Sequence, residues 1–567
     1  MEKPPRTQAT SLPTESRHRS RLLRRGLIAL VAVAGVLGAV WLVLAVQGDA
    51  DGPGTPDPGE GALTAVTGGA PAALPDLAAL IGDRERHLRA EPRDAQAWAV
   101  LGAAYVERGR RTANTADYPM ADKALRTSLR LSPKENAQAL DGLAALANQR
   151  RNFRAARSWS EAALKLEPRR WTTYPLLIDA CTGLGDYKAV GRALDTLLKL
   201  HHAPAVKARA AAVYWDRGWR EDAAAQLSDA AAAATSPVER AAYVERAGRI
   251  AWERGDVEDA LRHFEAALRL DPDQRDARAG QGRALAALER TPEALKAYQQ
   301  ALDKRPSPEY ALELGELYES LGMDEQAKEQ YDLLRRWARQ DAAAGVDDEL
   351  VLGRFEADHE DPQSAVRRLR AEWQRQPGIA VADALGWALH RAGQDSEALK
   401  FATAAMDETK GGGVRNARYA YHRGMIERSL EQPGAARRHL QQALRTNPYF
   451  SPLWAPEARA ALEDLGEPSA KEAPPETRVP AESEDGAEAG APAQAGAPAQ
   501  TGSPAQTGGH AQTGSPAQTG APAQTGNPAQ TGAPAQTGNP AQTGGHAQTG
   551  NPAQTGSPAV VRPQQSR

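Results

Sequence analysis

A chain of 567 residues is too long for a single hydrophobic core, so several structural units are expected. Its 69 basic and 72 acidic side chains leave a formal net charge of −3, which argues against a strong electrostatic hold on nucleic acid. Cys181 is the one cysteine, which excludes an internal disulfide or a thiol pair for a metal; its helical setting reads as a small buried apolar residue.

Residues 1–25 are basic, with Lys3, Arg6, Arg17, Arg19, Arg21, Arg24 and Arg25 opposed only by Glu2 and Glu15. Residues 26–46, GLIALVAVAGVLGAVWLVLAV, carry no charge and as a helix would reach about 31 Å, close to the hydrocarbon thickness of a bilayer. A transmembrane helix is expected there. Asp49, Asp51, Asp57 and Glu60 follow without a base, so the positive side is the N-terminal one. That asymmetry predicts a single-pass cell-membrane protein with its N-terminus in the cytoplasm and the remainder outside. A cleaved signal peptide is the rival, but its apolar run would be shorter, about 7 to 15 residues, and VQGDA (46–50) is a poor cleavage site. Residues 47–75, rich in Gly, Pro and Ala, are expected to be a flexible linker.

From residue 76 to residue 466 the apolar spacing is helical. The first helix, 76–90, has Asp76 as its expected N-cap and Leu77, Leu80, Ile81 and Leu88 along one side. AWAVLGAAYVERG follows with Trp98, Leu101, Gly102 and Tyr105, and an insertion at 111–117 lengthens this first hairpin. Further along, GDVEDALRHFEAALRLDP (255–272) is echoed thirty-four residues later by RTPEALKAYQQALDKRP. Ala260 is answered by Ala294, Phe264 by Tyr298, Ala267 by Ala301 and Pro272 by Pro306. Other copies lie at 152–168, 185–200, 218–231, 311–331, 350–369, 383–405 and 421–448, about ten units in all. A fixed period of this size marks a repeat array.

These residues are where the chain resembles the tetratricopeptide repeat family, whose unit is a 34-residue helical hairpin. In that pattern a large residue, a Leu-Gly pair and a Tyr mark the first helix, while two alanines flank an aromatic on the second. Trp98, Gly102, Tyr105, Ala260, Phe264, Ala267, Gly282, Ala294, Tyr298, Gly315 and Tyr318 fill those packing positions. The resemblance implies an all-α fold: a right-handed superhelical solenoid of about ten hairpins over 76–466. Capping helices are expected at 76–90 and 450–466, because terminal hairpins lack a neighbour.

The family also implies a concave groove for protein or peptide partners, lined by the first helices. Carried over residue by residue, its positions fall on Trp215, Arg249, Trp252, Arg283, Arg354 and Trp387. Arginine and tryptophan make a fitting binding pair, though packing of the tryptophans against neighbouring hairpins is the competing reading. The family's paired Lys and Asn for a C-terminal carboxylate have no counterpart here.

No catalytic constellation stands out: there is no H-E-x-x-H, phosphate loop or nucleophile elbow. GQGRAL (280–285) offers only a mid-helix G-x-G, and His201-His202 sits at a helix end. GGGV (411–414) reads as a hinge. No cofactor or metal is implied.

Residues 467–490 form an acidic linker, with Glu467, Glu472, Glu476, Glu482, Glu484, Asp485 and Glu488 against Lys471 and Arg478. Residues 491–567 repeat a PAQTG-type hexapeptide with no aromatic or large aliphatic residue in the repeats, and are expected to be disordered. An O-glycosylated stalk and a spacer through wall material are the functional alternatives for that tail.

Together these features predict a membrane-anchored scaffold that binds partner proteins outside the cytoplasm, and no enzyme. The Ala, Arg and Gly bias resembles an actinobacterial chain, which would make that space the cell envelope. A narrower alternative is an assembly chaperone: RAEPRDAQAWAVLG resembles envelope tetratricopeptide proteins of cytochrome c maturation, although those typically have two spans. A small-ligand sensor or enzyme in the divergent stretches 171–231 or 341–377 is the remaining rival.

Overall fold

A computed structural model describes residues 58–304, 307–407 and 415–466. The expected membrane helix at 26–46, the GGGV segment and everything beyond Gly466 lie outside the described residues. Among those described, no helix is long and apolar enough to cross a membrane. They form 23 α-helices with no strand.

Two helices lead, α1 (Pro58–Gly68) and α2 (Leu74–Ala90). Helical hairpins follow as α3 (Ala95–Thr112) with α4 (Asp117–Leu131), α5 (Ala137–Gln149) with α6 (Phe153–Leu166), and α7 (Thr173–Gly183) with α8 (Tyr187–Leu200). The middle of the array pairs α9 (Pro204–Asp216) with α10 (Arg220–Ala233), α11 (Pro237–Glu253) with α12 (Val257–Leu270), and α13 (Arg275–Ala287) with α14 (Thr291–Lys304). It continues with α15 (Pro308–Ser320) and α16 (Asp324–Ala343), α17 (Glu349–His359) and α18 (Pro362–Arg375), then α19 (Ile379–Arg391) and α20 (Asp395–Ala405). The last hairpin, α21 (Ala417–Ser429) with α22 (Pro433–Thr446), is covered by α23 (Trp454–Asp464).

Two local expectations differ from the structure. The stretch read as linker contains α1, because Ala62, Leu63, Ala65 and Val66 recur at helical spacing and pack in one cluster with Leu77, Leu80 and Ile81 of α2. Asp76 is not the cap of α2: the helix starts at Leu74, after Ala73, and Pro75 and Asp76 both lie in its first turn.

Local chemistry sets the hairpins. Asp94, Asn136, Asn152, Asp186, Ser236, Asp361 and Asn416 each accept a backbone N–H at the start of a helix. In eight turns the chain closes the same way. The N–H groups of Asn152, Asp186, Trp219, Asp256, Arg290, Met323, Gln394 and Gln432 each donate to the carbonyl five residues earlier. The residue before each donor is left-handed: Arg151, Gly185, Gly218, Gly255, Glu289, Gly322, Gly393 and Glu431. Glycine takes that conformation without steric cost, whereas a left-handed side-chain-bearing residue costs about 1–2 kcal/mol. Gly185-Asp186, Gly218-Trp219 and Gly255-Asp256 are three of these turns.

Packing explains the aromatic and small residues. Phe264 of α12 is 1% exposed and sits between Gly248 of its own hairpin and Gly280 of the next. A Cβ at those glycines would come to 2.9 and 2.5 Å from the ring. Two residues on, a Cβ at Gly282 would meet Tyr298 at 2.7 Å, so the two glycines of GQG receive aromatics of successive second helices. Gly102 receives Leu125 and Gly315 receives Tyr331 in the same manner. Ala260, Ala267 and Ala294 are fully buried in one cluster with Tyr318, and Tyr105 is buried in another with Leu77 and Leu125. Trp98 is half-buried, its indole N–H donating to the Pro92 carbonyl at 3.0 Å. Cys181 is fully buried, and burial pushes its thiol up to about 11.

The array also winds back on itself, so that hairpin turns meet hairpins far along the chain. Arg111 pairs with Asp271 at 2.8 Å, both side chains nearly excluded from water. Arg151 reaches Glu309 and Asp348, and the Asp347 N–H donates to the Arg150 carbonyl at 3.1 Å. The Phe153 N–H donates to Gln376 at 3.0 Å, and Asn447 Nδ2 to the Trp252 carbonyl at 2.8 Å. A Cβ at Gly185 would lie 2.4 Å from the Pro377 carbonyl oxygen, so this turn glycine serves the seam as well.

Candidate functional site

The seam closes a cavity of about 800 Å³ over the first helices of four successive hairpins. Arg249, Trp252 and Glu253 come from α11, Arg283 from α13, Glu313 and Glu316 from α15, and Arg354 from α17. Arg249, Arg283, Glu316 and Arg354 each directly follow the packing glycine of their helix (Gly248, Gly282, Gly315 and Gly353) and so hold the same repeat position, which is why one face of the array presents them together. The opposite wall comes from the chain's other end: Asn416, Arg418 and Tyr419 at the start of α21, the 447–453 loop, and Arg459 of α23.

Two kinds of arginine line this space. Arg283 is fully engaged, its Nη2 on both oxygens of Glu313 at 2.8 and 2.9 Å, with Tyr298 Oη donating to the same carboxylate at 3.0 Å. Its guanidinium also stands 5.9 Å from the Trp252 ring centre. Arg249, Arg354 and Arg418 make no ion pair within 4.0 Å among the described residues. Arg249 is exposed to water inside the cavity, and Glu245, ahead of the opposing effect of burial, raises its pKa above the usual arginine value. Burial works against the charge on Arg418, but Glu316, Asp358, Glu313 and Asp383 outweigh it. Burial pushes the Glu253 carboxyl up, against Arg283, Arg249 and Arg418. The result is a charged, solvent-accessible chamber in which the described carboxylates surround three guanidinium groups without pairing them.

The six residues expected to line a groove are thus divided. Arg249, Trp252, Arg283 and Arg354 meet at the cavity, although Trp252 is 6% exposed and forms wall rather than a free platform. Trp215 lies elsewhere, half-buried under Arg220 at 5.3 Å. Trp387 is buried in the core: it stacks on His422 at 4.3 Å, neighbours Trp454 at 6.3 Å, and donates to Asp358 at 2.7 Å. Arg418, Tyr419 and the 447–459 segment escaped the sequence reading, since they reach the site only across the seam.

Among the described residues no group of His, Cys, Asp and Glu is arranged to hold a metal ion. The tetratricopeptide repeat family model matches residues 209–274, 245–307 and 280–344, which contain α11, α13 and α15 of the cavity floor. These are tetratricopeptide repeats. No curated protein is a match. Among solved structures, the human IFIT1 dimer with PPP-AAAA is 14% identical with a TM-score of 0.35, over 61% of this chain and 90% of that one. A tetratricopeptide repeat protein from Parabacteroides merdae is 16% identical with a TM-score of 0.28, over 46% and 98%. Yeast Tom70 is 13% identical with a TM-score of 0.27, over 64% and 96%.

Proposed function

We propose that the protein is a membrane-anchored scaffold that holds segments of partner proteins outside the cytoplasm, with the cavity at Arg249, Arg354 and Arg418 as the point of capture. One observation carries the reading: three arginines, ringed by carboxylates yet in no ion pair with any described residue, face a solvent-accessible space of about 800 Å³. A guanidinium fork with open donors binds carboxylates and backbone carbonyls, and arginine is enriched where partners are held. Glu253 and Glu316 in the same wall suit basic or amide groups, so the chemistry fits a mixed polypeptide segment. The anchor and its orientation rest on the uncharged run 26–46 and the arginines before it.

Photo-reactive residues placed at 249, 354 and 418 in living cells test the capture site, with position 262 on the outer face of α12 as the control. Capture of the same proteins from all three inner positions and not from 262 is expected. Equal capture from 262 refutes the cavity as the site. Labelling of an engineered exposed cysteine by a membrane-impermeant reagent in intact cells tests the orientation.

A further inference from the structure

A second recess lies on the seam away from this cavity, at the start of α10 where it meets the segment before α21 and the side of α22. It encloses about 640 Å³ and is lined by Arg220, Arg415, Arg438 and Arg445, with Gln442 and Thr446 beside them. The remaining lining residue, His439, is held by Glu427 at 2.5 Å. Among the described residues no carboxylate lines the recess, in contrast to the mixed wall of the larger cavity. Arg415, Arg438 and Arg445 make no ion pair within 4.0 Å among the described residues. Arg220 is pinned by a 2.8 Å hydrogen bond from its Nη2 to the Arg415 carbonyl, so the two turns of the array are tied at the recess itself. Burial, and then Arg415 and Arg254, hold the Arg220 guanidinium below its usual pKa, with Glu253 and Glu221 opposing more weakly.

Four guanidinium groups around one recess repel one another in a fold that supplies carboxylates freely elsewhere. Such an arrangement stabilises when a multiply charged anion enters, and the number of forks decides which anion. A carboxylate offers one charge and two oxygens, enough for one bidentate arginine. A phosphate group offers more oxygens, in a tetrahedral array, and up to two charges. We propose that this recess is a phosphate-binding site, and that a phosphate group held there by Arg220 from one turn and Arg415, Arg438 and Arg445 from the next bridges the two turns of the array. The phosphate can belong to a lipid headgroup or to a soluble phosphate ester; the recognising chemistry is the same.

The test uses the full chain in a non-ionic detergent. Inorganic phosphate is titrated at constant ionic strength against sodium chloride, with calorimetry for binding and thermal unfolding for linkage. One site per chain is expected, with a rise of a few degrees in the unfolding midpoint. In the double variant R438Q/R445Q the affinity should fall by about tenfold or more with helix content unchanged, and R220Q should weaken binding as well. Both altered residues in the double variant are exposed on α22, so loss of folding is not the expected outcome. Glycerol 3-phosphate and short-chain phosphatidic acid separate the sources: tighter binding of the lipid assigns a headgroup, and equal binding assigns a soluble ester. The proposal is overturned if phosphate and chloride act alike, if R438Q/R445Q binds phosphate as the parent does, or if a hexaglutamate peptide binds through these arginines as tightly as phosphate.

Discussion

The buried pair Arg111–Asp271 joins the first hairpin to the end of α12, and its removal should show how firmly the array is held closed. The side chains are 4% and 6% exposed and the Nη1–Oδ2 distance is 2.8 Å. Arg111→Met leaves the Asp271 carboxylate in a dry site with one backbone N–H, that of Asp273 at 3.2 Å, as its remaining recorded donor. Stranding a buried charge in this way costs about 3–5 kcal/mol, whereas replacing both partners by apolar residues is often neutral. At about 1.4 kcal/mol per decade, Arg111→Met should raise the opening equilibrium of the seam by a hundredfold or more. Hydrogen exchange read by mass spectrometry on the full chain in detergent follows this locally. Peptides covering 106–115 and 266–276 should lose protection together, and the R111M/D271L double variant should recover most of it. A double variant that loses the sum of the two single losses would falsify the coupling.

Three further outcomes follow from the same contacts. Gly282→Ala drives a methyl to 2.7 Å from the Tyr298 ring, which its hydrogen bond to Glu313 holds in place, and should destabilise the array by about 1–3 kcal/mol in urea titrations; an unchanged midpoint contradicts the packing. Asn447→Ala removes a 2.8 Å donor from the Trp252 carbonyl, which keeps the Gly255 N–H at 2.9 Å, and should cost about 0.5–1.5 kcal/mol and speed exchange selectively over 447–453. Asp216 is raised by burial from 3.8 to about 6, against Arg249 and Arg209 and with Asp179 adding repulsion. The folded state therefore holds this proton more tightly than the unfolded chain, and the stability it gives is complete below pH 3.8 and lost as the pH rises through about 6. Asp216→Asn should be more stable than the parent at pH 7 by about 1–2 kcal/mol, less than the full shift implies because the side chain is only half-buried, and equal to it below pH 4. A difference that stays flat over that range rejects the argument.

The hairpins and their packing residues were legible because their causes are local. Phe264 seats between Gly248 and Gly280 of the helices beside it in sequence, in one cluster with Ala260 and Ala267, so the period of the sequence and the period of the packing coincide. The G-x-G at 280–282 was readable as packing for the same reason, though only coordinates show that its glycines serve two different aromatics. The helix α1 escaped because its stripe is short and its composition resembles a linker.

The sites divide along the same line. Sequence alone could place Arg249, Trp252, Arg283 and Arg354 on one face, since each arginine follows the packing glycine of its repeat and Trp252 lies about one turn beyond Arg249. It could not show that Trp387 turns into an aromatic core with His422 and Trp454, a matter of how one hairpin leans on the next. Nor could it bring Arg418 to Arg249, Asn447 to Trp252, or Arg220 to Arg445. Those meetings depend on the small rotation between neighbouring hairpins, summed over several units until the chain returns beside itself. No single motif encodes that sum. The repeat chemistry determined the unit, and the winding decided which arginines face a shared cavity and which face one another.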